Sequence, residues 1–133
     1  MRLAVCRALI AVLCVVLAAF FAFVGWNKAF ASLADLSRYH AWTIYLAEPL
    51  GRAIGWSEMA LALGLLAALH PRGGRIATIS ALALVANQVV AAAVHLAQGE
   101  RGALPQNAIL IGLLLAGMVM VRVQSNPRED TAR

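Results

Sequence analysis

Four residues of this chain combine reactive side chains with apolar surroundings: Lys28, Glu58, His95 and Asn107. An amine, a carboxylate, an imidazole and an amide can balance a charge, pass a proton and hydrogen-bond a polar head group. Each sits near one end of a long apolar run. If those runs are helices crossing a membrane up and down, all four side chains fall near the same face of the bilayer. Polar and ionisable groups in hydrocarbon are costly and tend to mark function, so four at one depth point to a shared site. Gln88 extends it. Gln88, Ala91, His95 and Gln98 follow the i, i+3, i+7, i+10 spacing of one helical face, a polar stripe expected to line a bundle interior.

Each residue also has a plainer reading. Lys28 can snorkel to the head groups on its long stem. Glu58 snorkels poorly, so it has to be protonated or paired with Lys28 or His95. The Gln88–His95 stripe can act as interhelical glue, and Asn107 can bond a helix end. Glu100 reads as a solvated loop residue. Cys6 and Cys14 lie about 12 Å apart along one helix, too far for a disulfide, and read as small apolar fillers. No HExxH, Cys/His cluster, phosphate-cradling glycine loop or GxSxG is present. His40, His70 and His95 are too dispersed to suggest a metal site.

The frame that must hold these residues follows from composition. The 133 residues are 62% hydrophobic and only 13% charged, where a soluble domain carries about 25% charged. That deficit indicates an all-α integral membrane protein, a four-helix bundle in one membrane domain. Helices are expected at about 8–30, 52–69, 76–97 and 105–121, with an interfacial loop at 32–51 and a solvated tail at 122–133. The 8–27 run is long enough to span about 30 Å of hydrocarbon. A cleaved signal peptide over residues 1–31 is the rival reading, with Ala29-Phe30-Ala31 as the small-residue site. Pro105 suits the first position of the last helix.

Charge placement sets topology. Arg2, Arg7, Arg72, Arg75, Arg122, Arg128 and Arg133 share one side; Lys28, Arg38, Arg52 and Arg101 share the other. The richer side is expected to be cytoplasmic, with both termini on it. Because these basic residues flank apolar runs, the net charge of +5 does not indicate nucleic acid as a partner. All nine aromatics fall between Phe20 and Trp56, and Trp26, Trp42 and Trp56 are expected to form a belt at the outer interface. Two stripes of small residues, Ala60-Gly64-Ala68 and Ala108-Gly112-Ala116, are expected to let helices approach closely.

The runs Gly25-Trp26-Asn27-Lys28, Pro49-Leu50-Gly51-Arg52-Ala53-Ile54-Gly55-Trp56-Ser57-Glu58 and Val94-His95-Leu96-Ala97-Gln98-Gly99-Glu100, followed by Asn107, resemble the DoxX-like family of small four-helix membrane proteins. The resemblance covers roughly residues 18–121. It implies a bacterial inner-membrane setting and, from founding members that are small subunits of an archaeal thiosulfate:quinone oxidoreductase, a place in a quinone-linked redox assembly. It carries Lys28, Glu58, His95 and Asn107 over as a polar site. On this reading the ligand is a quinone or similar lipid-soluble molecule, held near the outer leaflet. The chain has no electron carrier of its own and needs a partner protein. The alternative is a non-enzymatic scaffold or assembly factor for another membrane complex, the polar cluster being a structural lock. A transporter is disfavoured because four short helices enclose little volume without forming a homo-oligomer.

Overall fold

The computed structural model describes residues 2–125, and among these it is all helix and turn, with no strand. Five α-helices follow one another: α1 Arg2–Phe30, α2 Leu33–Arg38, α3 Glu48–Leu66, α4 Gly74–Ala97 and α5 Leu104–Ser125. Four stretches are long and apolar enough to cross a membrane: Val5–Phe30, Glu48–Leu69, Gly74–Ala97 and Arg101–Val123. The expected tail at 122–133 is helical as far as Ser125; residues 126–133 lie outside the described residues.

The segment expected to be an interfacial loop, 32–51, carries structure of its own. Ser32 caps α2, accepting from the Asp35 backbone N–H at 3.1 Å while its hydroxyl donates to the Asp35 carboxylate at 2.6 Å. A short 3-10 turn follows at Trp42–Tyr45. The second spanning helix then begins at Glu48, about one turn before Arg52. Pro49 fits its first turn, where a missing N–H costs nothing. Glu48 and Arg52 pair across that turn at 3.0 Å. The same guanidinium donates to the carbonyls of Lys28 and Ala31 at 2.9 and 2.6 Å, satisfying the exposed C-terminal carbonyls of α1.

The bundle is lipid-adapted. Its core is small, built on Leu17, Phe21, Ala62, Leu84 and Leu114, while Val12, Phe23, Leu63, Ile79, Val89, Ile109 and Val119 face outward. Polar Lys28, Glu58, Gln88, His95 and Asn107 are all buried. Without water in the surroundings there is no penalty for outward valine and leucine, and a strong one for outward charge.

The closest approach of one helix backbone to another lies outside the expected small-residue stripes. Gly64 does meet Ser80 of α4, but Ala60, Ala108, Gly112 and Ala116 are exposed, and nothing lies near a Cβ placed on Gly112. The tight contact is α1 on α3, run antiparallel. A Cβ on Gly25 would sit 2.6 Å from the Gly55 carbonyl oxygen and 3.0 Å from Glu58 Cβ. One on Gly55 would sit 2.6 Å from the Ala29 nitrogen and 2.9 Å from Lys28 Cβ. Each glycine thus makes room for the base of the charged side chain on the opposite helix.

Candidate functional site

That glycine crossing sets the first polar cluster. With the backbones of α1 and α3 in contact, Lys28 Nζ donates to Glu58 Oε1 at 2.6 Å. The two side chains are 5% and 0% exposed, so this is a fully enclosed ion pair. Asn87 of α4 donates to the same carboxylate oxygen at 2.6 Å, and the Lys28 ammonium lies 5.4 Å from the Trp42 ring centroid. Lys28 therefore points into the bundle instead of snorkelling. Trp42 likewise departs from the expected belt. It is buried, while Trp26 and Trp56 are exposed and bracket Phe30, at centroid distances of 4.4 and 5.1 Å.

The second cluster comes from a helix ending. α4 stops at Ala97, and Gly99 takes φ +77°, a left-handed value that glycine adopts without strain. The Gly99 N–H returns to the Leu96 carbonyl at 3.1 Å and the Glu100 N–H to the His95 carbonyl at 2.8 Å, a Schellman turn. Such a turn folds the residue after the glycine back over the last helical turn. Glu100 is thereby laid on His95, with His95 Nδ1 2.7 Å from Glu100 Oε2. Tyr45 donates its hydroxyl to Glu100 Oε1 at 2.6 Å, and His40 Nδ1 stands 3.5 Å from that oxygen. His40 is itself the left-handed residue, at φ +51°, of a second Schellman turn ending α2. Two helix caps thus converge on one carboxylate.

Glu100 is therefore engaged, contrary to its reading as a solvated loop residue. The Tyr45 hydroxyl first and His95 second hold its carboxyl below the usual carboxylate range. The same bond to Glu100 holds the Tyr45 hydroxyl above its ordinary value. A carboxylate depressed in the folded state adds stability that is complete above its unfolded pKa of about 4.3 and fades as pH falls through the folded value. The phenol sets the upper limit, because a raised tyrosine supports the fold below about pH 10 and less above it. Glu100→Gln is therefore expected to melt below the parent near neutral pH, with the gap closing under about pH 4. Thermal unfolding at both pH values checks this, and a gap that persists in acid refutes it.

Between these clusters lies a cavity of about 780 Å³, open at the end of the bundle where α1 stops and α5 starts. Lys28, Trp42, Gln88, His95 and Asn107 line its polar part, Phe20, Val24 and Leu110 its apolar part, and Tyr39, His40, Glu100 and Arg101 its rim. Four of the five expected site residues share this wall. Glu58 does not: it sits behind Lys28, and among the described residues no hydrogen bond joins it to His95. Gln98, the last member of the polar stripe, is exposed. Sequence reasoning missed Asn87, Tyr45, Trp42 and Glu100 as site members. The signal available for Glu100 was Gly99 directly after the helix end. Among the described residues no group of three or more His, Cys, Asp or Glu gathers as a metal site, and Cys6 and Cys14 are both free.

Four spanning helices with outward apolar faces and buried polar groups define a small multi-pass membrane protein. The chain belongs to the DoxX-like family, whose model matches residues 12–118. No curated protein and no solved structure matches it.

Proposed function

We propose that the chain is a small accessory subunit of a quinone-linked redox system in a bacterial inner membrane, one membrane domain with both termini cytoplasmic, and that the cavity holds the ring of a quinone or similar lipid-soluble molecule. The observation that carries this reading is the cavity's composition: a wall of Lys28, His95, Gln88 and Asn107 continuing into Phe20, Val24 and Leu110. A polar ring on an apolar tail matches both halves. The residues also fit the group chemically, because Trp42 Nε1 and Asn107 Nδ2 are buried without a hydrogen-bond partner, and a ring carbonyl accepts from such donors. When bound, a quinone supplies a carrier that takes up electrons together with protons. His95, fixed by Glu100, is the titratable group placed on the wall to pass a proton. Lys28, with its charge balanced by Glu58, offers a hydrogen-bond donor. The electron carrier belongs to a partner protein.

The test is binding of a short-chain quinone analogue to the purified protein. His95→Ala is expected to weaken it about ten-fold, the value of one buried hydrogen bond. Glu58→Gln is expected to weaken it less, since Glu58 acts through Lys28. No binding, or binding that neither change touches, sinks the proposal. A scaffold or assembly role is the second reading. It draws on the Lys28–Glu58–Asn87 cluster, which ties α1, α3 and α4 together without reaching the cavity through Glu58. Affinity capture of a stable partner that tolerates His95→Ala but not changes in residues 32–47 would favour it.

A further inference from the structure

The seam between α1 and α5 changes character along its length. Of the four neighbouring pairs of spanning helices, α1 and α5 share the least contact. Away from the cavity they close on each other. Leu13 of α1 comes within 3.4 Å of a Cβ placed on Gly117, and Ile10, Cys14 and Val121 pack in one buried cluster. Only about 10 Å³ stays free among Cys14, Leu17, Leu114 and Gly117. At the other end both helices border the cavity of about 780 Å³. The spanning helices divide its lining by chemistry. α4 contributes Gln88 and His95, while the apolar side chains Phe20, Phe23, Val24 and Leu110 all belong to α1 and α5. Phe23 lines the cavity and is also 69% exposed, so the cavity reaches the side of the bundle there. Phe23 stands about 10 Å before α1 ends at Phe30, at 1.5 Å per residue, and inside the candidate span Val5–Phe30. At that depth the surroundings are hydrocarbon. The end of the bundle is partly covered instead. There the connection after α2 borders the cavity with Leu36 and Trp42 buried, and Tyr45 fastens it to Glu100 at 2.6 Å.

We propose that the cleft between α1 and α5 is the door by which the ligand enters from the bilayer, and that the ligand's apolar tail lies in it with its far end in lipid. The inference rests on the quinone reading above and deepens it. It places the tail and restricts the ligand to molecules dissolved in the membrane, with one polar head and a single apolar chain. A ring held against Lys28 and His95 has apolar side chains only on the α1 and α5 side of the spanning helices, so its tail runs that way. Entry by this route needs no helix to open, and the backbone groups of both helices keep their internal bonds. The tail gains little energy in the cleft, because lipid is as apolar as the side chains it meets there. The cleft therefore sets the direction of entry and the lie of the tail, while the polar wall sets affinity.

The experiment uses a benzoquinone whose decyl tail carries a diazirine at its middle, added to the full chain in nanodiscs and photolysed. Trp26→Phe with Trp56→Phe, both at exposed positions, leaves Trp42 as the one tryptophan. Quenching of its fluorescence, in a variant with the helix content of the parent, then reports a ring in the cavity. Labelling is also run in the parent chain, so it does not depend on the two substitutions. Trp42 is expected to be quenched, and peptide mass spectrometry to find the label on residues 20–24 and 106–110. Those segments should carry several-fold more label than Leu63 and Ile79, which face lipid elsewhere, and an excess of unlabelled decyl-benzoquinone should remove the difference. Quenching with the label on residues 36–41 or 99–102 overturns the door, because the tail then leaves toward water, and the cavity stands as a quinone site. Quenching with equal label on Leu63, Ile79 and the cleft overturns it in the same way. Absence of quenching overturns the quinone reading and this inference with it.

Discussion

Lys28→Met is expected to destabilise the bundle by about 3–5 kcal/mol, the usual cost of removing one partner from a buried ion pair. The expectation rests on enclosure. Glu58 is 0% exposed and Lys28 4%, so the carboxylate left behind has no solvent to turn to. Asn87 still donates to Oε1, but an amide does not neutralise a charge, and Oε2 already lacks a partner. Replacing both residues at once, Lys28→Met with Glu58→Leu, is expected to cost far less than either single change, because the pair's desolvation penalty disappears with its attraction. The surface pair Glu48–Arg52 provides the contrast: Glu48 is about half exposed, and Glu48→Ala should cost under about 1 kcal/mol. Thermal unfolding in detergent, followed by circular dichroism, measures all four variants. Additive single and double effects, or a Lys28→Met as mild as Glu48→Ala, would show that the buried pair is not coupled.

Hydropathy made the spanning helices readable, because a run of apolar residues long enough to cross a bilayer has few other uses. It did not reveal which face of each helix turns inward. In lipid the outward face is as apolar as the core, so the periodicity that marks a buried stripe in a soluble helix is weak. The small-residue spacing of Ala108, Gly112 and Ala116 therefore looked like a packing face yet lies exposed. Polar residues were better guides: Gln88, His95 and Asn107 had little but the interior to go to, Lys28 could also have snorkelled, and all four converge on the cavity wall. Trp42 and Glu100 were misjudged for a different reason. Both lie in connections, where the conformation depends on single left-handed residues, His40 and Gly99. A left-handed His is uncommon and was not anticipated. Without that turn, Trp42 reads as one more interfacial tryptophan, and without the turn at Gly99, Glu100 reads as solvated. The Tyr45–Glu100 bond joins residues far apart in the chain, and no spacing rule links them.

The same glycine-to-alanine change is expected to have opposite signs at two positions. In a helix interior, alanine is favoured over glycine by about 1 kcal/mol from backbone entropy alone. At Gly112, where an added Cβ meets open space, that gain stands alone, and Gly112→Ala should be neutral or stabilising by up to about 1 kcal/mol. At Gly55 the added methyl would lie 2.6 Å from both the Ala29 nitrogen and the Gly25 carbonyl oxygen. These are backbone atoms in a helix and cannot swing aside as a side-chain tip would. Relief requires moving α1 away from α3 along the contact where those helices pack most extensively. Overpacking of this kind costs about 1–3 kcal/mol even where neighbours relax, so Gly55→Ala should lose about 2–3 kcal/mol net. Separation of the helices also lengthens the 2.6 Å Lys28–Glu58 bond, because both residues stand one turn from the crossing. Steric and electrostatic losses are then coupled. Gly55→Ala made in the Lys28→Met/Glu58→Leu background should cost measurably less than in the parent, since no ion pair remains to be stretched. Equal costs in the two backgrounds would separate the helix crossing from the ion pair and leave Gly55 with a purely steric role.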